Sequence, residues 1–157
     1  MKKIIKNLLP FITTISCFGC IYWFHAIFFN TLKEECLIAA FGASAVLAFS
    51  NFGVSSQYAP KNMFLGAMLG ASIGVYMNTV HLDRTVAILF AISSCVLLMD
   101  LTKLKYPPGG AMALIPIVSN NKEIQDLGYF FILCPVLTGI GIIFFFSKLQ
   151  KTINNRL

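Results

Sequence analysis

The sequence predicts an all-α integral membrane protein of six membrane segments, arranged as two inverted repeats of three, with the middle segment of each repeat broken or short. Three observations lead there. Apolar residues make up 57% of the 157 positions and charged residues 11%, whereas soluble domains carry roughly 25% charged residues. Uncharged stretches run over residues 7–32, 36–60, 62–82, 85–99, 106–121 and 127–147. Two of these stretches are rich in small residues and hold the same position in each half of the chain.

The elements follow in order. Residues 8–29, preceded by Lys2, Lys3 and Lys6, form a first span. Its basic start resembles a signal peptide, but the apolar stretch is too long and lacks a small-residue cleavage site, so it is expected to be retained. Residues 36–52 are short and small, carrying "FGASAVL" at 41–47. Residues 62–80 form a second long span whose Gly66, Gly70 and Gly74 lie at i, i+4 and i+8, a groove for a neighbouring helix within or between molecules. Residues 85–99, continuing to Leu101, form a third, and 127–146 a fourth; these lengths are near the ~20 residues that cross a ~30 Å hydrocarbon core. Residues 108–118 are short again and follow a Pro-Pro and a Gly-Gly in "YPPGGAMALIPI" (106–117).

Basic residues choose between crossing and re-entry for the two short segments. With six crossings and both termini inside, Lys2, Lys3, Lys6, Lys61, Lys103, Lys105, Lys148, Lys151 and Arg156 are cytoplasmic, against Lys33, Arg84 and Lys122 outside, nine to three. Two re-entrant segments would give seven to five. The positive-inside bias favours six. It also accounts for the net charge of +6 without a nucleic-acid partner, and places the chain in a bacterial inner membrane as one transmembrane domain over 1–157, with repeats at about 8–80 and 84–147.

"FGASAVL" aligns with "GGAMALI" (109–115), so that Gly42, Ala43 and Ala45 meet Gly110, Ala111 and Ala113. Three crossings per half invert the second half, the plan of many secondary transporters whose sites lie where broken helices meet. Pro107 or Pro108 can open a helix but not continue one. Gly109 and Gly110 would let a ligand approach, and the N–H groups of Gly110, Ala111 and Met112 would be free at the helix start to hold an anion. "FGASAVL" would offer the same, with Ser44 adding a hydroxyl. The candidate substrate-binding set is therefore Gly42, Ala43, Ser44, Ala45, Tyr106, Pro107, Pro108, Gly109, Gly110 and Ala111. Small residues that only let helices pack closely are the alternative.

His25 and Asp100 are candidate proton or gate residues, because ionisable groups in apolar stretches are few. His81 is placed in an exterior loop, and Lys103 and Lys105 at the headgroups. Cys17, Cys20, Cys36, Cys95 and Cys134 lie in or beside apolar stretches and read as small apolar side chains. No nucleophile–base pair, phosphate loop or metal cluster stands out, so neither enzyme, cofactor nor metal is expected, while a homo-oligomer is compatible with six helices.

The motifs "FGASAVLAF" (41–49), "APKNMFLGAMLGASIGV" (59–75) and "YPPGGAMALIPI" (106–117) resemble, in order and spacing, the HPP family of integral membrane proteins. Tyr106 stands where the eponymous His would be. The resemblance covers roughly residues 10–147 and implies transport, with nitrite as the substrate associated with plastid and cyanobacterial members. A nitrite-like anion transporter or channel in the lipid bilayer is thus the leading expectation, and a non-transporting scaffold or subunit of a larger membrane complex the alternative.

Overall fold

The computed structural model describes residues 2–28, 35–50, 59–80 and 82–156, with side chains over 8–27, 38–50, 59–80 and 82–156. The expectations for Lys33 and His81, and for the side chains of Lys2, Lys3, Lys6 and Cys36, lie outside the described residues. Every regular element among the described residues is helical: α1 Lys2–Phe28, α2 Glu35–Phe49, α3 Pro60–Thr79, α4 Arg84–Thr102, α5 Pro108–Val118, the single turn α6 Lys122–Asp126, and α7 Thr138–Arg156. A wide-turned stretch, Ile132–Leu137, leads into α7.

Local chemistry sets the ends of these helices. Pro60 opens α3 at a position where its missing N–H costs nothing. Asp83 caps α4 by accepting the Thr85 N–H at 2.9 Å. At the other end Lys103 adopts φ 59°, and the N–H of Leu104 turns back to Met99 O at 3.0 Å.

Three helices are long and apolar enough to cross a membrane, over Leu8–Ile27, Arg84–Thr102 and Ile132–Arg156. The fourth expected span, α3, has the length at 20 residues but not the apolarity. Lys61, Asn62, Asn78 and Thr79 occupy its ends, and five of its eight buried residues are Gly66, Ala67, Gly70, Ala71 and Gly74, the others being Met63, Ile73 and Val75. It lies at the centre of the bundle, where small residues replace bulky ones because the neighbours are backbone rather than lipid. Conversely, only 17% of the α4 span and 22% of the α1 span are buried. Their exposed Phe11, Trp23, Leu89 and Val96 are the side chains a bilayer would cover.

The close approaches give each helix its direction. A Cβ at Gly66 would meet Tyr106 Cβ at 2.5 Å, one at Gly70 would strike the Gly109 carbonyl, and one at Gly74 the Ala113 carbonyl. The two series advance together, so α3 and α5 run parallel, and the glycine groove is filled from within the chain. Met99 lies against Gly109 while the Arg84 guanidinium donates to Val118 O, so α4 runs against α5. Gly139 receives the Phe41 ring, and further along Ser147 Oγ donates to Ala48 O at 3.3 Å and Gln150 Nε2 to Phe49 O at 3.0 Å; α2 and α7 are parallel too. His25 meets Thr138, and Cys20 shares a cleft with Gly141 and Phe145, so α1 opposes α7 and hence α2.

The middle segments are short but not broken. At 11 residues, α5 is ~16 Å long, and α2 is continuous over 15 residues. "FGASAVL" therefore lies inside α2 and not at a helix start, a correction to the expected half-helix: the helix begins six residues before Phe41, and the N–H groups of Gly42 to Ala45 belong to its ladder. The true interruption is at Cys134 (φ −135°, ψ 118°) in the last long segment, where Pro135 has no N–H to continue the helix.

The halves interlock. The third helix of the first half, α3, packs on α4 and α5, while α7 packs on α1 and α2, and α2 meets α5 between them. Burial agrees over the first five positions of the motif alignment and departs after them, with Val46 exposed against half-buried Leu114 and Leu47 half-buried against buried Ile115. Phe41 and Gly109 are buried, Gly42 and Gly110 half-buried, Ala43 and Ala111 exposed, and Ala45 and Ala113 buried.

Candidate functional site

The start of α5 explains the Pro-Pro-Gly-Gly. Leu104 and Tyr106 are buried, so the helix begins inside the bundle, level with Gly66 of α3. A helix start leaves up to four N–H groups without intrahelical partners, a heavy cost away from water. Pro107 and Pro108 have no N–H to orphan. The next two donors are taken up locally, Gly109 N–H by Tyr106 O at 2.9 Å and Gly110 N–H by Pro107 O at 3.0 Å. The expectation that the Gly110 N–H is free for an anion is thereby corrected: the turn itself consumes it. Gly109 has a different task, since a Cβ there would strike Gly66 O. A Cβ at Gly110 would meet nothing within 4 Å.

Of the residues singled out in the sequence, the structure joins Ser44 and Tyr106. The Tyr106 hydroxyl donates to Ser44 Oγ at 2.7 Å, and Ser44 donates in turn to Ala40 O at 2.9 Å. Tyr106 and Ser44 are both 0% exposed. This hydroxyl pair ties α2 to α5, the two small-residue motifs to each other, and one half of the chain to the other.

A second buried polar pair lies one turn away. His25 is 1% exposed, and its Nε2 is 3.0 Å from Thr138 Oγ1. The Thr138 hydroxyl gives its one proton to Pro135 O at 3.0 Å, so the imidazole is the donor to it. The His25 ring stacks on Phe41, with centroids 6.0 Å apart and planes at 26°. Phe41 precedes Ser44 by one helical turn and separates the two polar pairs. His25 therefore faces the interior and not the headgroups. Its place beside the Cys134–Pro135 interruption makes Thr138, Pro135 and Phe41 site residues that the sequence reading missed; Pro135 within an apolar run was the available signal. His25→Phe keeps the ring stack and removes the donor to Thr138. The expected cost is about 1 kcal/mol, read as a lowered thermal midpoint of the purified protein in detergent.

The remaining expected residues are not brought to this centre. Asp100 is exposed at the end of α4, 3.9 Å from the equally exposed Lys103. Ala43, Pro107 and Ala111 point outward, and Pro108 is buried in the first turn of α5. Among the cysteines described, Cys17, Cys95 and Cys134 are buried free thiols.

The model of the family described as HPP, transmembrane region, matches residues 2–156. A transmembrane protein of Dictyostelium discoideum is 36% identical over 113 residues, covering 68% of this chain and 38% of its own length. A second from the same organism is 36% identical over 118 residues, covering 69% of this chain and 36% of its own. The chain thus spans less than two fifths of the length of these curated relatives. No solved structure matches it.

Proposed function

The chain belongs to the HPP transmembrane family, and from that premise we propose that it is a transporter or channel for a small, nitrite-like anion, with its site where α2 and α5 meet. The observation that carries this reading is the buried Tyr106–Ser44 hydrogen bond. Joined, the two hydroxyls satisfy each other and Ala40 O, leaving no donor over. Separated, they present two O–H donors to whatever enters between the helices, which is the chemistry an oxyanion accepts. The site is thus one of side-chain hydroxyls at a helix crossing instead of bare helix N-termini.

Three features support alternating access along this seam. The short helices each run against the long helix that precedes them, and on that alternation six membrane crossings are proposed. Exchanging α1 with α4, α2 with α5 and α3 with α7 maps the packing pattern onto itself, as an inverted repeat requires. The Phe41 ring, stacked on His25, sits on α2 one helical turn before Ser44. The bilayer proposed is a bacterial inner membrane with both termini cytoplasmic, on the distribution of Lys and Arg.

Purified protein in liposomes is expected to move nitrite or nitrate down a gradient, followed by an entrapped anion-sensitive dye. Failure to move nitrite, nitrate or chloride faster than empty liposomes would sink the proposal. A scaffold role is the second reading, favoured by the use of Gly66, Gly70, Gly74 and Gly109 for backbone packing. It predicts no anion flux and stable co-purification with another membrane protein.

A further inference from the structure

At the pole where α3 and α5 end and α4 begins, the structure holds a cleft of about 180 Å³. Asn78 from the last turn of α3, Arg84 at the start of α4, Asn120 after α5 and Gln125 of α6 line it, over an apolar floor that includes Ala87 and Ile117. The volume is several times the ~30 Å³ share of one liquid water, enough for an ion of three or four heavy atoms with part of its hydration. It is remote in sequence and in position from the Tyr106–Ser44 pair, which lies at the opposite end of α5.

The lining has one cation, Arg84, and the amides of Asn78, Asn120 and Gln125, whose NH₂ groups are donors and whose oxygens are acceptors. One Nη2 of Arg84 is committed to Val118 O, which leaves the rest of a planar five-donor fork. Gln125 Nε2 donates to Ser119 O at 2.8 Å. The carboxamides of Asn78 and Asn120 have no hydrogen-bond partner among the described residues. The nearest carboxylate in sequence, Asp83, accepts the Thr85 N–H, and Asp83, Glu123 and Asp126 do not line the cleft. A cation flanked by two unpartnered amides matches a planar oxyanion, which takes a bidentate contact from the guanidinium and further N–H groups at its remaining oxygen.

We propose that this cleft binds a small planar oxyanion, as a loading site at the pole opposite the chain termini; the loading role rests on the transport reading above. The full chain in detergent is titrated with sodium nitrite and, separately, sodium nitrate, holding ionic strength constant with gluconate, and the thermal midpoint is followed. Nitrite or nitrate should raise the midpoint saturably. Asn78→Ala combined with Asn120→Ala should weaken half-saturation about tenfold, the size expected for hydrogen bonds to an ion. Arg84→Gln should abolish the shift. Because Arg84 also closes the end of α5, the double asparagine variant is the decisive one: its side chains hold nothing else in place. No saturable shift in the unaltered protein, or half-saturation unchanged in the double variant, overturns the proposal. Liposome flux separates the two claims. Anion flux whose half-saturation the double variant leaves unchanged removes the cleft and keeps transport. Absent flux with binding lost in the variants keeps the cleft as a binding site and removes transport.

Discussion

Gly70→Val is expected to leave little folded protein, while Gly110→Ala is expected to be neutral or slightly stabilising. Both positions are glycines in apolar helices, and composition does not tell them apart. At Gly70 even the first added carbon would overlap the Gly109 carbonyl, which belongs to backbone and cannot swing away as a side chain could. Overpacking in a core costs ~1–3 kcal/mol where side chains can adjust and more where they cannot. Here the whole α3–α5 contact would open, taking with it Gly66 against Tyr106 and Gly74 against Ala113. At Gly110 an added methyl meets nothing within 4 Å, and alanine is favoured over glycine in a helix by ~1 kcal/mol. Yield, monodispersity in size exclusion and thermal midpoint in detergent check both. A well-folded Gly70→Val protein would show that α3 and α5 are not in backbone contact.

The second large effect is expected at the hydroxyl pair, and it is asymmetric. Ser44→Ala leaves the Tyr106 O–H buried with its acceptor gone, a penalty of ~1–3 kcal/mol. Tyr106→Phe leaves Ser44 still donating to Ala40 O and forfeits only the net bond, ~0.6 kcal/mol on average for such pairs in membrane proteins. The double variant should resemble Tyr106→Phe, so the two substitutions will not add. If these hydroxyls are the donors that an anion meets, both single variants also lose most nitrite flux in liposomes at normal protein density. Equal stability losses from the two single variants would contradict the bonding order, and full flux in Tyr106→Phe would remove the pair from the pathway.

Much of the architecture was legible because it depends on composition and spacing. Lys2, Lys3 and Lys6 at one end, Lys148 and Lys151 at the other, and the uncharged runs between them define a membrane protein without reference to any contact. Gly66, Gly70 and Gly74 at one-turn spacing announced a helix groove, and the groove is there. The pairing of "FGASAVL" with "GGAMALI" rested on Gly42, Ala43 and Ala45 against Gly110, Ala111 and Ala113, and these three pairs share their burial. What each motif does was less legible. A run such as Phe-Gly-Ala-Ser-Ala has the same letters at a helix start and in a helix middle, and α2 settles that by beginning at Glu35. Pro135 was overlooked beside the more conspicuous Pro107 and Pro108, yet it is the proline that interrupts a long segment.

The sequence by itself determined the solvent of this protein, the order of its apolar segments, and which helix faces are small enough for close packing. These follow from the energy of burying charge and from helical periodicity, both local properties. Only the tertiary structure decided that the Pro-Pro start of α5 is self-satisfied, that Gly109 serves α3 and Gly110 does not, and that Tyr106 bonds to Ser44 across 62 positions. A hydrogen bond or a steric overlap depends on what stands opposite, and for these residues that partner comes from the other half of the chain.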